Sequence, residues 1–285
     1  MATAAQRDPT RTTGVRRAYG AALRRRMDGL KRLVWETVVT NDALYLEKRD
    51  SSILRVFARA QAGKKYDWPT DPAGKADAFM DWLQDAIDSD ILGVEQRDGR
   101  RITLRDEWQN MYVRSSYSRS VEAASTALRR GGLELPTTGL AAVFGKPIHA
   151  NTLAILYTRN FNELRGITEA MSAAISRELT TGMAQGLGPR QIAALLNQRV
   201  DRIGITRALT LARTEIIHAY AEGTLNRYEE FGIKGVRGKA ELSTAGDDNV
   251  CPICASLEGR EYSIAEARGV IPVHPNCRCA WLPVI

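Results

Sequence analysis

Four cysteines and one histidine near the C-terminus are the side chains best suited to chemistry in this 285-residue chain. They read Cys251-Pro-Ile-Cys254 and His274-Pro-Asn-Cys277-Arg-Cys279, and no other cysteine is present. A C-x-x-C knuckle followed by an H-x-x-C-x-C cluster has the spacing of a structural zinc site. Zinc takes four nitrogen or sulfur ligands at tetrahedral corners. The knuckle supplies two from one tight turn. The other two come from His274, Cys277 and Cys279, three candidates for two places. His274 and Cys277 are separated by the step that a knuckle or a helical turn closes. The favoured set is therefore Cys251, Cys254, His274 and Cys277, with Cys279 as a buried neighbour or alternate ligand. An all-cysteine site using Cys277 and Cys279 is the other arrangement. A disulfide, or buried free thiols, are the readings without a metal.

A catalytic zinc keeps one position open and needs a base nearby. Glu258 and Glu261 follow the knuckle, and His218 is the nearest preceding histidine. Five potential ligands for four places point instead to a closed, structural site. The chain is read as a non-enzyme, with a zinc-dependent hydrolase or nuclease as the alternative.

The elements that hold this cluster come next. The chain is 44% hydrophobic, ample for a buried core. No apolar run is long enough for a membrane span, and the N-terminal residues lack the apolar stretch of a secretory signal. Clustered cysteines argue against a disulfide scaffold and for synthesis in a reducing compartment. The net charge of +7 is unevenly placed. Residues 1–32 hold nine basic side chains against Asp8 and Asp28, which is +7 by itself. The remainder is formally neutral. The basic residues Arg16, Arg17, Arg24, Arg25, Arg26, Lys31 and Arg32 form an arm suited to nucleic acid or an acidic protein surface. A solvated helix face is the bland reading.

Hydrophobic periodicity places the helices. Tyr19, Leu23, Met27, Leu30 and Val34 form one face of a helix from about residue 13, and the residues before it are expected to be disordered. A short apolar set at Ile53, Leu54 and Phe57 follows, then a loop at residues 68–72. A second helix carries Phe79, Trp82, Leu83, Ala86 and Ile87 on one face and stops at Gly93. A third is expected from near Thr103, through Trp108, Met111 and Tyr112, to Arg129-Arg130. Residues 131–149, rich in Gly, Pro and Thr, read as an extended hinge, with His149 incidental at its end. Leu164, Ile167, Met171, Ile175 and Leu179 mark a fourth helix. Pro189 opens a fifth, and a sixth runs from about Thr206 to Phe231, capped by Gly232. A short strand leads into the knuckle, and residues 281–285 form a second, pairing strand.

Several blocks together resemble the phage Mu F-like minor head proteins, also called the phage head morphogenesis family. Arg213-Thr214-Glu215 resembles that family's "ARTE" helix, followed by Ala219 and Gly223. Residues 244–254 are similar to its aspartate-then-knuckle segment, with Asp247. Leu257-Glu-Gly259 is close to its "L-x-G" turn. Residues 274–279 match its closing "HPNCRC". The likeness is strongest over 203–285 and looser over 150–202. Leu242 stands where a tryptophan is commoner.

The elements read above make this a mainly α protein whose multi-helix N-terminal and central region leads to a small α+β zinc-stabilised C-terminal domain, and the resemblance agrees with that. The expected divisions are a basic arm (1–32), a helical portal- or head-associating region (33–149), a helical core (150–232) and a zinc-binding domain (233–285). The resemblance implies a virion component of a tailed bacteriophage, made in the host cytoplasm. Its partners would be the portal protein, other head or capsid proteins and packaged DNA, and its role head morphogenesis with genome packaging or delivery. It gives Arg213, Glu215 and Asp247 structural roles. Arg213 and Glu215 are two apart and cannot face each other on one helix. Arg213 is expected to tie its helix to the metal segment through Asp247, so that Arg213→Ala destabilises the C-terminal domain.

Overall fold

The computed structural model describes residues 8–46, 66–69, 71–98, 101–136, 138–231 and 238–284. The chain is mainly α, with a small α+β region at its C-terminal end.

Helix α1 (Thr13–Trp35) starts where the apolar stripe predicts. Tyr19, Leu23, Met27, Leu30 and Val34 are all buried, because that face removes a continuous apolar strip from water. A π-helical turn, Glu36–Thr40, extends it. Residues 8–12, expected to be disordered, instead form an ordered lead-in. The Asp8 carboxylate accepts from Thr13 N (2.9 Å) and from Thr10 Oγ1 (2.6 Å), and pairs with Arg16 (2.8 Å). It answers an N–H of the first helical turn that has no partner within the helix. The set at Ile53, Leu54 and Phe57 lies outside the described residues, as does Gly232.

Helix α2 (Pro72–Ala86) is opened by Asp71, whose carboxylate accepts from Gly74 N at 2.8 Å. It buries Phe79 and Leu83 and runs into a π-helical turn, Ile87–Leu92. Gly93 ends it in the left-handed region, φ 71°, where a Cβ would lie 2.3 Å from Asp106 O. Strands β1 (Val94–Asp98) and β2 (Arg101–Leu104) then pair antiparallel. Thr103 thus lies in a strand, and the third helix, α3 (Asn110–Arg130), starts later than predicted. Asp98-Gly99 between β-branched residues is a hairpin signal that outweighs helical periodicity here.

Residues 131–149 are not an extended hinge throughout. They contain α4 (Leu140–Phe144) and the start of α5 (Pro147–Ala184). Val143 is buried with Val113, Tyr117, Leu153 and Leu156, and this anchoring overrides the loop-like composition. The helix read from Leu164 to Leu179 is the second half of α5, with Leu164, Met171, Ile175 and Leu179 fully buried. Helix α6 (Pro189–Arg199) begins at Pro189 and passes through a π-helical turn, Val200–Ile205, into α7 (Thr206–Phe231).

Two compact units result. The first comprises residues 1–21, 107–163 and 209–285, and the second 22–106 and 164–208. In the second, Gly204 lies against Met171 and Met27, and Lys31 pairs with Asp201 at 2.7 Å. In the first, α3 and α7 meet closely: a Cβ on Gly223 would fall 2.1 Å from Ser120 Oγ and 3.1 Å from the Tyr117 ring. Ser116 Oγ donates to Ile216 O at 2.7 Å across the same contact.

The C-terminal region adds β3 (Lys239–Ser243), α8 (Pro252–Ala255), β4 (Glu261–Ser263), α9 (Ile264–Ala267) and β5 (Ala280–Pro283). Both predicted strands are present, β3 before the knuckle and β5 at the end, and β4 was not foreseen. The sheet order is β4-β3-β5, all antiparallel, with Leu242 opposite Trp281. Its apolar face joins Leu128 of α3 and Ile217, Leu225, Tyr228 and Phe231 of α7 in one core, which also holds Cys254, Cys277 and Cys279.

Candidate metal centre

The knuckle is built as a helix start. Cys251 caps α8, its sulfur accepting from Cys254 N at 3.3 Å, and Pro252 occupies the first helical position. This turns both sulfurs of the C-x-x-C to one side. The second half-site is a turn in which Cys277 N donates to His274 O at 3.1 Å, with Asn276 at φ 67°. Asparagine adopts that conformation more readily than most residues.

The two halves converge. His274 Nε2 lies 3.1 Å from Cys251 Sγ and 3.1 Å from Cys254 Sγ. Cys254, Cys277 and Cys279 form a second triad with sulfurs within 4.8 Å of one another. Cys254 belongs to both. All five predicted ligands are thus gathered, with Cys279 in the same triad as Cys254 and Cys277.

The donor chemistry fits a metal. His274 Nδ1 lies 2.7 Å from Pro275 O, which suits Nδ1–H as donor and leaves Nε2 with its lone pair toward the sulfurs. That backbone bond also draws the His274 pKa upward. Burial pushes the Cys254 thiol up to about 12. A hydrogen bond from Cys279 brings Cys277 down to about 5, and Cys279, the donor, is pushed up by the same bond. The Cys254 N–H lowers Cys251. Such crowded sulfurs resist ionising together, and a bound cation would remove that obstacle by displacing their protons.

The segment is braced by ion pairs that differ from those predicted. Asp247 takes Arg278 in a two-pronged pair, both contacts at 2.6 Å. Arg213 is exposed and donates instead to Asn276 Oδ1 at 3.2 Å. The acceptor is in the metal segment, but it is not Asp247. Glu258 accepts from Thr244 N at 2.6 Å and Glu261 pairs with Lys239 at 3.1 Å, so both candidate bases hold backbone or strand in place.

Glu215 is buried and accepts from Arg159 Nε at 3.1 and 3.2 Å, with His218 Nδ1 at 3.9 Å. Burial alone would raise its pKa; His218 and Arg159 outweigh that and hold it below its ordinary value. Arg159 gave no sequence signal, being one of three arginines on a long helix.

His149, read as incidental, is fully buried. Its Nδ1 is 2.8 Å from Tyr117 Oη and its Nε2 3.3 Å from Glu230. Asn226 donates to Tyr117 Oη at 2.6 Å and accepts from Arg268 at 2.9 Å, and Arg268 pairs with Glu222 at 2.8 Å. Burial holds the His149 pKa down. The available clue was Asn226-Arg227 between Leu225 and Tyr228 near the end of a helix.

The basic arm separates into two sets. Arg16 pairs with Asp8, Lys31 with Asp201, and Arg26 with Asp106 at 3.6 Å. Arg17, Arg24, Arg25 and Arg32 are exposed, with no ion pair among the described residues. They recur every seven or eight positions, the spacing of one helix face.

Residues 173–282 match the family model described as Phage Mu protein F like protein, which bears out the resemblance drawn from residues 213–215 and 274–279. No curated protein and no solved structure matches the chain. No helix among the described residues is long and apolar enough to cross a membrane.

Proposed function

We propose that this chain, phage Mu F-like over residues 173–282, is a minor head protein of a tailed bacteriophage. Its role is structural, in head morphogenesis and genome packaging or delivery, with the portal and other head proteins as partners. The supporting observation is the closed donor cluster of Cys251, Cys254, His274, Cys277 and Cys279, set in the core of the family-matched region. Zinc is the metal that this sulfur-rich, imidazole-containing set suits best. When bound, it supplies a cross-link between the knuckle and the closing turn. The chain's own residues do the rest: His274 is oriented by Pro275, and Arg278 holds the closing segment to Asp247.

The exposed Arg17, Arg24, Arg25 and Arg32 are the contact set for DNA phosphates or an acidic portal surface, a contact that weakens with salt and carries no base readout. Arg16, Arg26 and Lys31 stay engaged with Asp8, Asp106 and Asp201.

Purified phage heads provide the test. The chain should be present in heads, in few copies, and should copurify with portal protein. Metal analysis should find zinc in proportion to the chain. Absence from heads and portal fractions would sink the head assignment. Metal-dependent cleavage of DNA or cell wall, lost in Cys254→Ala, would favour a hydrolase.

A further inference from the structure

A cleft of about 470 Å3 in the first unit is lined by none of the metal-cluster residues. Its floor is aromatic: Tyr220, Tyr228 and Trp281 are each more than nine-tenths buried. Its rim carries Arg11, Arg119 and Arg130, all exposed. None of the three has an ion pair among the described residues. Glu122 is the acidic residue of the lining, so three positive charges face one negative.

Two further observations mark this as a built site. Arg11 sits at φ 52°, a backbone conformation a non-glycine residue seldom adopts and one that surrounding structure must enforce. The enforcement is visible. Arg11 N donates to Asp8 O at 3.0 Å, and the Asp8 carboxylate is taken by Thr10, Thr13 and Arg16, which leaves the Arg11 guanidinium uncommitted. The indole N–H of Trp281 also has no acceptor among the described residues.

We propose that this cleft binds an acidic peptide segment of a partner protein. Carboxylates would meet Arg11, Arg119 and Arg130, and an apolar or aromatic side chain between them would lie on the floor of Tyr220, Tyr228 and Trp281. Guanidinium groups suit carboxylates through paired N–H donors. A nucleic-acid strand presents a row of phosphates and calls for a track of cations. Here the cations surround a walled cleft that also contains Glu122. The proposal stands on the cleft alone and does not depend on the metal or on the virion assignment.

The test uses the full chain and fluorescence anisotropy with two probes. One is a short labelled peptide alternating glutamate with phenylalanine, and the other is a labelled oligothymidylate of matched charge. The peptide should bind, more weakly as salt rises. Arg119→Ala and Arg130→Ala should each weaken it by about tenfold, as loss of a charged hydrogen bond does. Both residues are exposed, so circular dichroism and melting should match the parent chain. No peptide binding, or binding that ignores both substitutions, overturns the proposal. So does an oligothymidylate that binds more tightly than the peptide and is lost in the same variants.

Discussion

The C-terminal sheet and the helices of the second unit are held by different means. In the second unit, Leu164, Met171, Ile175 and Leu179 of α5 are fully buried, and Gly204 lets α5 and α1 methionines approach the turn after α6. Apolar burial is diffuse, and each side chain adds a modest share. The sheet has three short strands, and its core includes three cysteines. A region so built concentrates its stability in a few donor atoms. One region should therefore weaken by degrees, and the other should be lost at a single step.

The largest expected effect comes from breaking the proposed metal site. Chelation, or Cys254→Ser, should abolish hydrogen-exchange protection over β3, β4 and β5 while protection in α5 and α6 persists. Structural zinc binding in small domains is worth about 10–16 kcal/mol, more than such a sheet can replace. Equal loss in α5 would dissolve the contrast between the two regions. Next comes Leu179→Ala, which should cost about 2–5 kcal/mol through the cavity it leaves, measured by denaturant unfolding, with metal content unchanged.

Asp247→Ala should cost about 1.5–3 kcal/mol, since it strips Arg278 of a two-pronged charged partner. Its signature should be faster metal loss to a chelator. A weaker effect appears with acid. Glu215 has a folded pKa below its ordinary 4.5, so its contribution is present above that value and fades as pH falls through the folded one. Glu215→Gln should flatten this acid dependence in a melting series. The smallest effect is Arg213→Ala, within about 0.5 kcal/mol, because Arg213 is exposed and its side-chain bond among the described residues is a 3.2 Å contact to the uncharged Asn276 amide. A loss as large as that of Asp247→Ala would restore Arg213 as the main tie.

Much of this contrast was legible beforehand. The stripe from Tyr19 to Val34, the span Thr206–Phe231 and the strand at Trp281 follow from periodicity and glycine or proline punctuation. The convergence of the five candidate donors was legible too, because C-x-x-C followed by H-x-x-C-x-C has the spacing of a metal site. The illegible parts depend on partners far away in sequence. Whether Asp247 takes Arg278 or Arg213 is decided by distance in the folded chain. His149 looked incidental because Tyr117 and Glu230 flank it only after folding. The 131–149 stretch has the composition of a loop, and burial of Val143 makes part of it a helix.

Residues 8–21 share a unit with residues 209–284, although nearly the whole chain separates them. During synthesis, the N-terminal segment leaves the ribosome long before its packing partners exist. Folding of that unit must wait until residues 209–284 have emerged, and closing so long a loop costs little more entropy than closing a moderate one. The Cys/His cluster emerges later than the helices it packs on. A chain interrupted before His274 would lack the second half-site and the β5 edge, and its early helices would miss part of their packing partners. Closure of this unit and the meeting of the two cysteine half-sites therefore depend on the same late-emerging residues.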